Sequence, residues 1–169
     1  MSRFPPIDPA DRTPEQVTMA ERATTGGPFE MYQRSPELWT RLQPVRQLLA
    51  ERFTLRQREI AVLAVAAHWR AGAAIASHSR IAQQAGLDDG VVDAILAGDD
   101  PVLPDDERLL LACTRSLLSA GRLSDALFVA AQARYGAQLL VDLTGLVGFY
   151  TGLSLVLNVG EDDAGPVSA

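Results

Sequence analysis

The stretch TLRQREIAVLAVAAHWRAGAAIASHSRIAQQAG, Thr54 to Gly86, decides the fold. Its apolar residues recur at three and four positions, so it reads as two consecutive helices. Each helix carries one ionisable side chain on a face that is otherwise hydrocarbon. Counting from Glu59, one turn reaches Val62 and Leu63 and the next Ala66 and Ala67. Around His78 stand Ala74, Ile75, Ile81, Ala82 and Ala85. A lone carboxylate in such surroundings is costly, whereas one facing an imidazole shares a hydrogen bond with it. Glu59 and His78 are therefore the candidate acid/base pair. The simpler readings are a glutamate that complements a helix dipole and a core histidine bonded to a carbonyl.

Working outward, Thr54 and Gln57 form a capping box at the start of the first helix, Gly72 is expected to interrupt it, and Gly86 to stop the second. Downstream, Asp88 is placed to cap a short helix with Val91, Val92, Ile95 and Leu96, ended by Gly98-Asp99-Asp100-Pro101. Asp105 and Asp106 favour the start of a helix running to about Gly121, and Ser124 caps another that ends near Gly136. From Gln138 to Val159 an apolar run with Gly145, Gly148 and Gly152 predicts a helix that approaches others closely on its glycine side. Upstream, Ser35-Pro36-Glu37 opens a helix with Pro44 inside as a possible kink, and Thr13-Pro14 a shorter one to Ala23. No alternating strand pattern occurs, so the prediction is an all-α bundle of about seven or eight helices. Residues 1–30 read as an N-terminal arm expected across a neighbouring subunit, 31–159 as the helical domain and 160–169 as a tail.

The chain has 169 residues, 47% of them hydrophobic, enough for one domain with a sizeable core. A net charge of -6 without an arginine cluster argues against nucleic acid and leaves small molecules or copies of the chain as partners. No run approaches the roughly 18 uninterrupted apolar residues of a membrane span, and MSRFPPIDPADR lacks the regions of a signal peptide. The expectation is a cytoplasmic protein with no membrane partner. All 15 basic residues are arginine, which excludes Schiff-base chemistry and a P-loop lysine and suggests a high-GC bacterial gene. Cys113 is the only cysteine; it forms no CxxC centre and, among Leu109, Leu110 and Leu117, reads as a structural thiol. Two histidines without HxxxH spacing give no metal site, and no cofactor is expected. His68, Tyr150 and Asn158 are polar groups on apolar helices and the candidate substrate-binding residues. Arg70 and Arg80 are expected on solvated faces.

Several segments together resemble the carboxymuconolactone decarboxylase-like family, which includes the alkylhydroperoxidase D proteins. They are GPFEMYQRSPEL at 27–38, REIAVLAVAAHWRA at 58–71, His78 with the following AQQAGL, SDA at 124–126 and GFYTGLSLVLNV at 148–159. The resemblance implies an all-α subunit that assembles into dimers, trimers or hexamers with active sites at or near subunit contacts. In redox members a glutamate and a histidine matching Glu59 and His78 relay protons to a CxxC pair; here those cysteine positions hold Ala71 and Ala74. Decarboxylase members often carry a histidine four residues before the tyrosine matching Tyr150, where this chain has Leu146. A third branch reads Tyr-Glu-Trp where this chain has Ala73, Ala74 and Ile75. These departures imply no thiol chemistry and a wider, more apolar pocket near His78, suited to a bulkier substrate.

Three functions follow as expectations. The first is a cofactor-independent lyase or isomerase of the decarboxylase type, acting on a small carboxylated or lactone-type molecule with His78 as acid and Glu59 orienting it. The second is a peroxiredoxin-like antioxidant activity, weakened by the absent CxxC. The third is a non-catalytic small-molecule-binding scaffold.

Overall fold

The computed structural model describes residues 3–22 and 28–160. Within them the chain forms eight α-helices and a short 3-10 turn, Pro9–Asp11, and no strand. In chain order the helices are α1 (Pro14–Arg22), α2 (Pro28–Tyr32), α3 (Pro36–Arg52), α4 (Leu55–His68), α5 (Gly72–Gln84), α6 (Asp89–Ala97), α7 (Asp105–Ala120) and α8 (Asp125–Gly160). Residues 23–27, which include Gly26-Gly27, and the tail beyond Gly160 lie outside the described residues.

Helix α4 is the hub, packed by α5, α6, α7 and α8. Every residue from Glu59 to Ala66 is buried, so this helix has no solvent face over two turns. Its start is held by the predicted capping box, in which Thr54 Oγ1 accepts from the Gln57 N–H and Gln57 Oε1 accepts from the Thr54 N–H. Arg56 joins that first turn to α7 through Glu107 at 2.7 Å and also donates to the Gly86 carbonyl after α5. The four predicted stops, Gly86, Gly98, Gly121 and Gly136, are, among the described residues, the four glycines with positive φ, between 68° and 85°. Gly136 (φ 77°, ψ 165°) divides α8 where two separate helices were expected.

Three local expectations are corrected. Gly72 does not interrupt a helix; it begins α5. The turn is Trp69-Arg70-Ala71, where Arg70 takes the left-handed conformation (φ 52°) in place of a glycine. The Ala71 N–H donates to Ala66 O and the Arg70 N–H to Ala67 O, a Schellman closure that over-determines the Arg70 backbone. Second, Ser35 and Asp88 occupy N-cap positions, but neither side chain bonds the helix. The arm expected across a neighbouring subunit also packs on its own chain. Met19 is buried with Tyr32 and Leu153, Gln16 Nε2 donates to Gln33 O, and the Arg3 N–H donates to Gly160 O.

The third correction concerns α8. It is long and apolar enough to cross a membrane, with a hydropathy of 1.7, yet Leu143, Leu146, Val147, Leu153 and Leu157 are buried against the rest of the bundle. Its glycines do not all approach neighbours. A side chain at Gly145 would touch Leu49, 3.5 Å away, and one at Gly160 would collide with Met31. Gly148 and Gly152 have nothing within 4 Å. Their freedom is therefore unexplained by packing within one chain.

The three tyrosines give the bundle an alkaline limit. Burial pushes all three hydroxyls above the ordinary tyrosine range, Tyr135 to about 12, where Asp106 adds to the effect; its hydroxyl donates to the Asp106 carbonyl. A group whose pKa is higher folded than unfolded lends stability below its unfolded value and loses it as the pH passes the folded one. With no lysine titrating in the same range, native tyrosinate absorbance at 295 nm should appear only above about pH 10. The unfolding midpoint should fall between about pH 10 and 12. Tyrosinate appearing in the native chain well below pH 10 would contradict these buried positions.

Candidate active site

Helices α4 and α5 meet at the pair the sequence singles out. Glu59 is fully buried, and its Oε2 lies 2.6 Å from Nδ1 of His78. Its other oxygen, Oε1, accepts from Arg58 Nε at 3.0 Å. Glu59 thus holds a guanidinium on one side and an imidazole on the other, which satisfies a carboxylate that hydrocarbon surrounds on the rest of α4. Paired with Arg58, the carboxylate is an acceptor only, so the short contact requires the proton on Nδ1 of His78. That leaves Nε2 as the working nitrogen. The His78 side chain is 18% exposed and that of Arg58 21%, while Glu59 is at 0%, so the imidazole and the guanidinium both connect the buried carboxylate to the surface.

Tyr150 of α8 closes the group from another side. Its ring stands edge-on to the His78 ring with centroids 5.4 Å apart, at an interplanar angle of 86°. Burial raises its hydroxyl, Glu59 adds to that, and Arg58 and Arg46 pull the other way. The hydroxyl is therefore a neutral donor at physiological pH.

The turn that sets the angle between α4 and α5 is anchored to α8. Asn158 Nδ2 donates to the Trp69 carbonyl at 2.6 Å, and Trp69 Nε1 donates to Thr151 Oγ1 at 3.1 Å. These two bonds bind the end of α4 to the same helix that carries Tyr150, so they position the pair.

Of the five predicted site residues, the structure brings together Glu59, His78 and Tyr150. Asn158 serves the turn, its amide engaged by backbone. His68 is exposed at the end of α4, its ring edge-on to Trp69 at 5.0 Å. Arg70 and Arg80 are exposed as expected, with Arg80 Nε on the Ala76 carbonyl. The residue that sequence reasoning missed is Arg58. Its signal was its place directly before Glu59, a neighbour that helical periodicity assigns to a different face.

Of the three positions expected to widen a pocket near His78, Ala73 is exposed, Ala74 buried and Ile75 half-buried. Ala71 and Ala74 are buried, and with Ala66 and Leu157 they form a small apolar cluster against which Ile75 packs. A cavity of about 360 Å³ lies instead under the arm, lined in part by Phe4, Ile7, Arg12, Met31 and Arg34. Among the described residues no group of three or more histidine, cysteine or acidic side chains could hold a metal.

Cys113 is fully buried in the main core, and burial raises its thiol pKa. A neutral thiol sealed from solvent is a poor nucleophile. Ellman's reagent should find no reactive thiol in the folded chain and one per chain in denaturant. Rapid reaction in the folded state would overturn this placement.

An all-helical bundle with a buried glutamate against a histidine on the next helix is the class that fold and site define, and the fold is that of the alkylhydroperoxidase AhpD core. The chain superposes on the crystal structure of an uncharacterized peroxidase-related protein from Ralstonia eutropha JMP134, described as an alkylhydroperoxidase AhpD core. The TM-score is 0.76 at 17% identity, covering 94% of this chain and 90% of that one. No family model matches the sequence, and no curated protein matches it.

Proposed function

We propose that the chain is a member of the carboxymuconolactone decarboxylase-like family that lacks the CxxC motif. It acts in the cytoplasm as a homo-oligomer and a cofactor-independent lyase or isomerase on a small carboxylated or lactone-type molecule. The observation that carries this reading is the 2.6 Å bond between Glu59 and His78 with Arg58 on the second carboxylate oxygen. Three groups that are costly to bury are held there in one geometry, and one of them, His78 Nε2, is left to exchange protons with a bound molecule.

In a decarboxylation the bond between the carboxylate carbon and its neighbour breaks, carbon dioxide leaves, and the electron pair passes into a conjugated carbonyl as a dienolate. His78, protonated at Nε2, delivers the proton that quenches it, and Glu59 holds the resulting neutral ring by its Nδ1–H. In an isomerisation the neutral ring takes a proton beside a carbonyl and returns it at another carbon. Either course needs the ring held at one angle, which the Glu59 bond and the edge contact with Tyr150 provide.

The cavity under the arm supports a second reading, in which the bundle carries a ligand there and performs no reaction. Incubation with a panel of carboxylated lactones and β-keto acids, followed by product analysis, separates the two. Carbon dioxide release or double-bond migration that needs His78 supports the enzyme. A molecule that co-purifies and is recovered unchanged, with no turnover across the panel, supports the carrier. The peroxiredoxin-like alternative is weakened by the absent CxxC, since Ala71 and Ala74 stand where the resemblance places cysteines and Cys113 is sealed in the core.

A further inference from the structure

The segment FPPIDPADR, residues 4–12, holds a cavity open beneath itself. Proline fixes its own φ, so Pro5, Pro6 and Pro9 make the segment a semi-rigid strap that resists collapse onto the bundle. The strap is also tied down on both sides. The Arg3 N–H donates to Gly160 O at the end of α8, Arg34 donates to Pro5 O, and Gln16 of α1 donates to Gln33 O. The space of about 360 Å³ that remains is thus set by the backbone, and it falls within the range of small-molecule sites, which begins at about 300 Å³. Glu59, His78 and Tyr150 do not line it.

Its walls are of two kinds. Phe4, Ile7 and Met31, all half-buried, line it with hydrocarbon, while Arg12, Arg34 and Glu30 bring charge. Arg34 is already engaged, donating to Pro5 O with its guanidinium 5.0 Å from the centre of the Phe4 ring. Glu30 is exposed and keeps its water. Arg12 has neither outlet. Its Nε is shut off from solvent without an acceptor, and among the described residues its guanidinium forms no ion pair; nearby Asp8 gives its Oδ1 to the Ala10 N–H instead.

A buried donor on a charged group destabilises the chain unless something supplies its acceptor. The position of Arg12 adds to this, because it stands just before α1, at the positive end of the helix dipole, where a cation is repelled. The same two features attract an anion, and the planar guanidinium matches a carboxylate with two parallel hydrogen bonds. Glu30 on the lining opposes a phosphate dianion more than a singly charged carboxylate.

We infer that this cavity binds the monoanion of an aliphatic carboxylic acid, with its carboxylate on Arg12 and its chain along Phe4, Ile7 and Met31. The inference rests on the ligand cavity of the second reading above, names its ligand class and its anchor, and holds whether or not His78 performs a reaction.

The test is isothermal titration calorimetry of the full chain with octanoate and with octanol, the uncharged probe of the same chain length, for wild type, Arg12→Gln, Ile7→Trp and His78→Ala. Arg12→Gln removes no hydrogen bond or ion pair of the described residues, so its helical circular dichroism should match wild type. The expected result is octanoate bound by wild type about 10- to 100-fold more tightly than octanol, an advantage that Arg12→Gln abolishes while the octanol affinity stays. Ile7→Trp fills the cavity and should remove both affinities, and His78→Ala should change neither. Octanol bound as tightly as octanoate overturns the anion site and leaves a carrier of neutral molecules standing. Binding of neither probe overturns the ligand cavity and the second reading with it. Octanoate binding lost in His78→Ala but kept in Arg12→Gln overturns the inference and puts the acid at the candidate active site.

Discussion

Glu59→Ala should lower the melting temperature by roughly 10 °C, the largest stability loss expected from any single polar side chain in the bundle. Glu59 has no exposure and bonds Arg58 and His78 on opposite oxygens. Its removal leaves a guanidinium and an imidazole without their acceptor, in a site walled by α4, α5 and α8. Removing one partner of a buried ionic group typically costs about 3–5 kcal/mol, a large share of the roughly 5–15 kcal/mol that stabilises a domain. Thermal unfolding followed by circular dichroism reads the effect. A shift within a degree or two of wild type would mean that water replaces the carboxylate and that the burial is not what holds the pair.

Glu59→Gln distinguishes positioning from bulk. The amide keeps the shape, and its oxygen must accept from Arg58, so its NH2 group faces His78. Nδ1 of His78 then becomes an acceptor and the ring proton moves to Nε2. The 15N shifts of the imidazole at mildly alkaline pH report that exchange of tautomers, with exposed His68, the other of the two histidines, as internal reference. A purely structural glutamate would leave the tautomer of His78 unchanged.

The second large effect is on turnover. With a substrate from the lactone and β-keto acid panel, His78→Ala should reduce kcat by about 10²- to 10⁴-fold, the usual share of a general acid or base. The fold should survive, because Glu59 keeps its bond to Arg58 and the side chain of His78 already reaches solvent. His68→Ala is the matched control, an exposed imidazole outside the pair, and should leave kcat unchanged. Equal losses in the two variants, or none in His78→Ala with the fold intact, would take His78 out of the mechanism. Glu59→Gln should fall between, since the ring remains and only its tautomer is wrong.

The helices were legible because their causes are local. Capping at Thr54 and Ser124, acidic first turns and the four left-handed glycines act within a few residues of themselves, and each appears where the spacing placed it. The turn at Arg70 was not legible, since a left-handed arginine is imposed by the closure of α4 and by the Asn158 bond from 89 residues away. Asn158 and Tyr150 shared one signal, a polar group on an apolar helix, and only the neighbouring helices show that one ties a turn and the other meets the imidazole.

By itself, then, the sequence determined that the chain is all helical and that Glu59 and His78 stand on apolar faces of consecutive helices, because periodicity reports what surrounds a residue along its own helix. Only the tertiary structure decided which faces meet. It set Glu59 against His78, recruited Arg58 to the second oxygen, packed Leu157 with Ala66, Ala71 and Ala74, and turned Gly148 and Gly152 away from their own chain. Those outcomes depend on helix crossing angles and on side chains far away in sequence, which the pattern of a single helix does not contain.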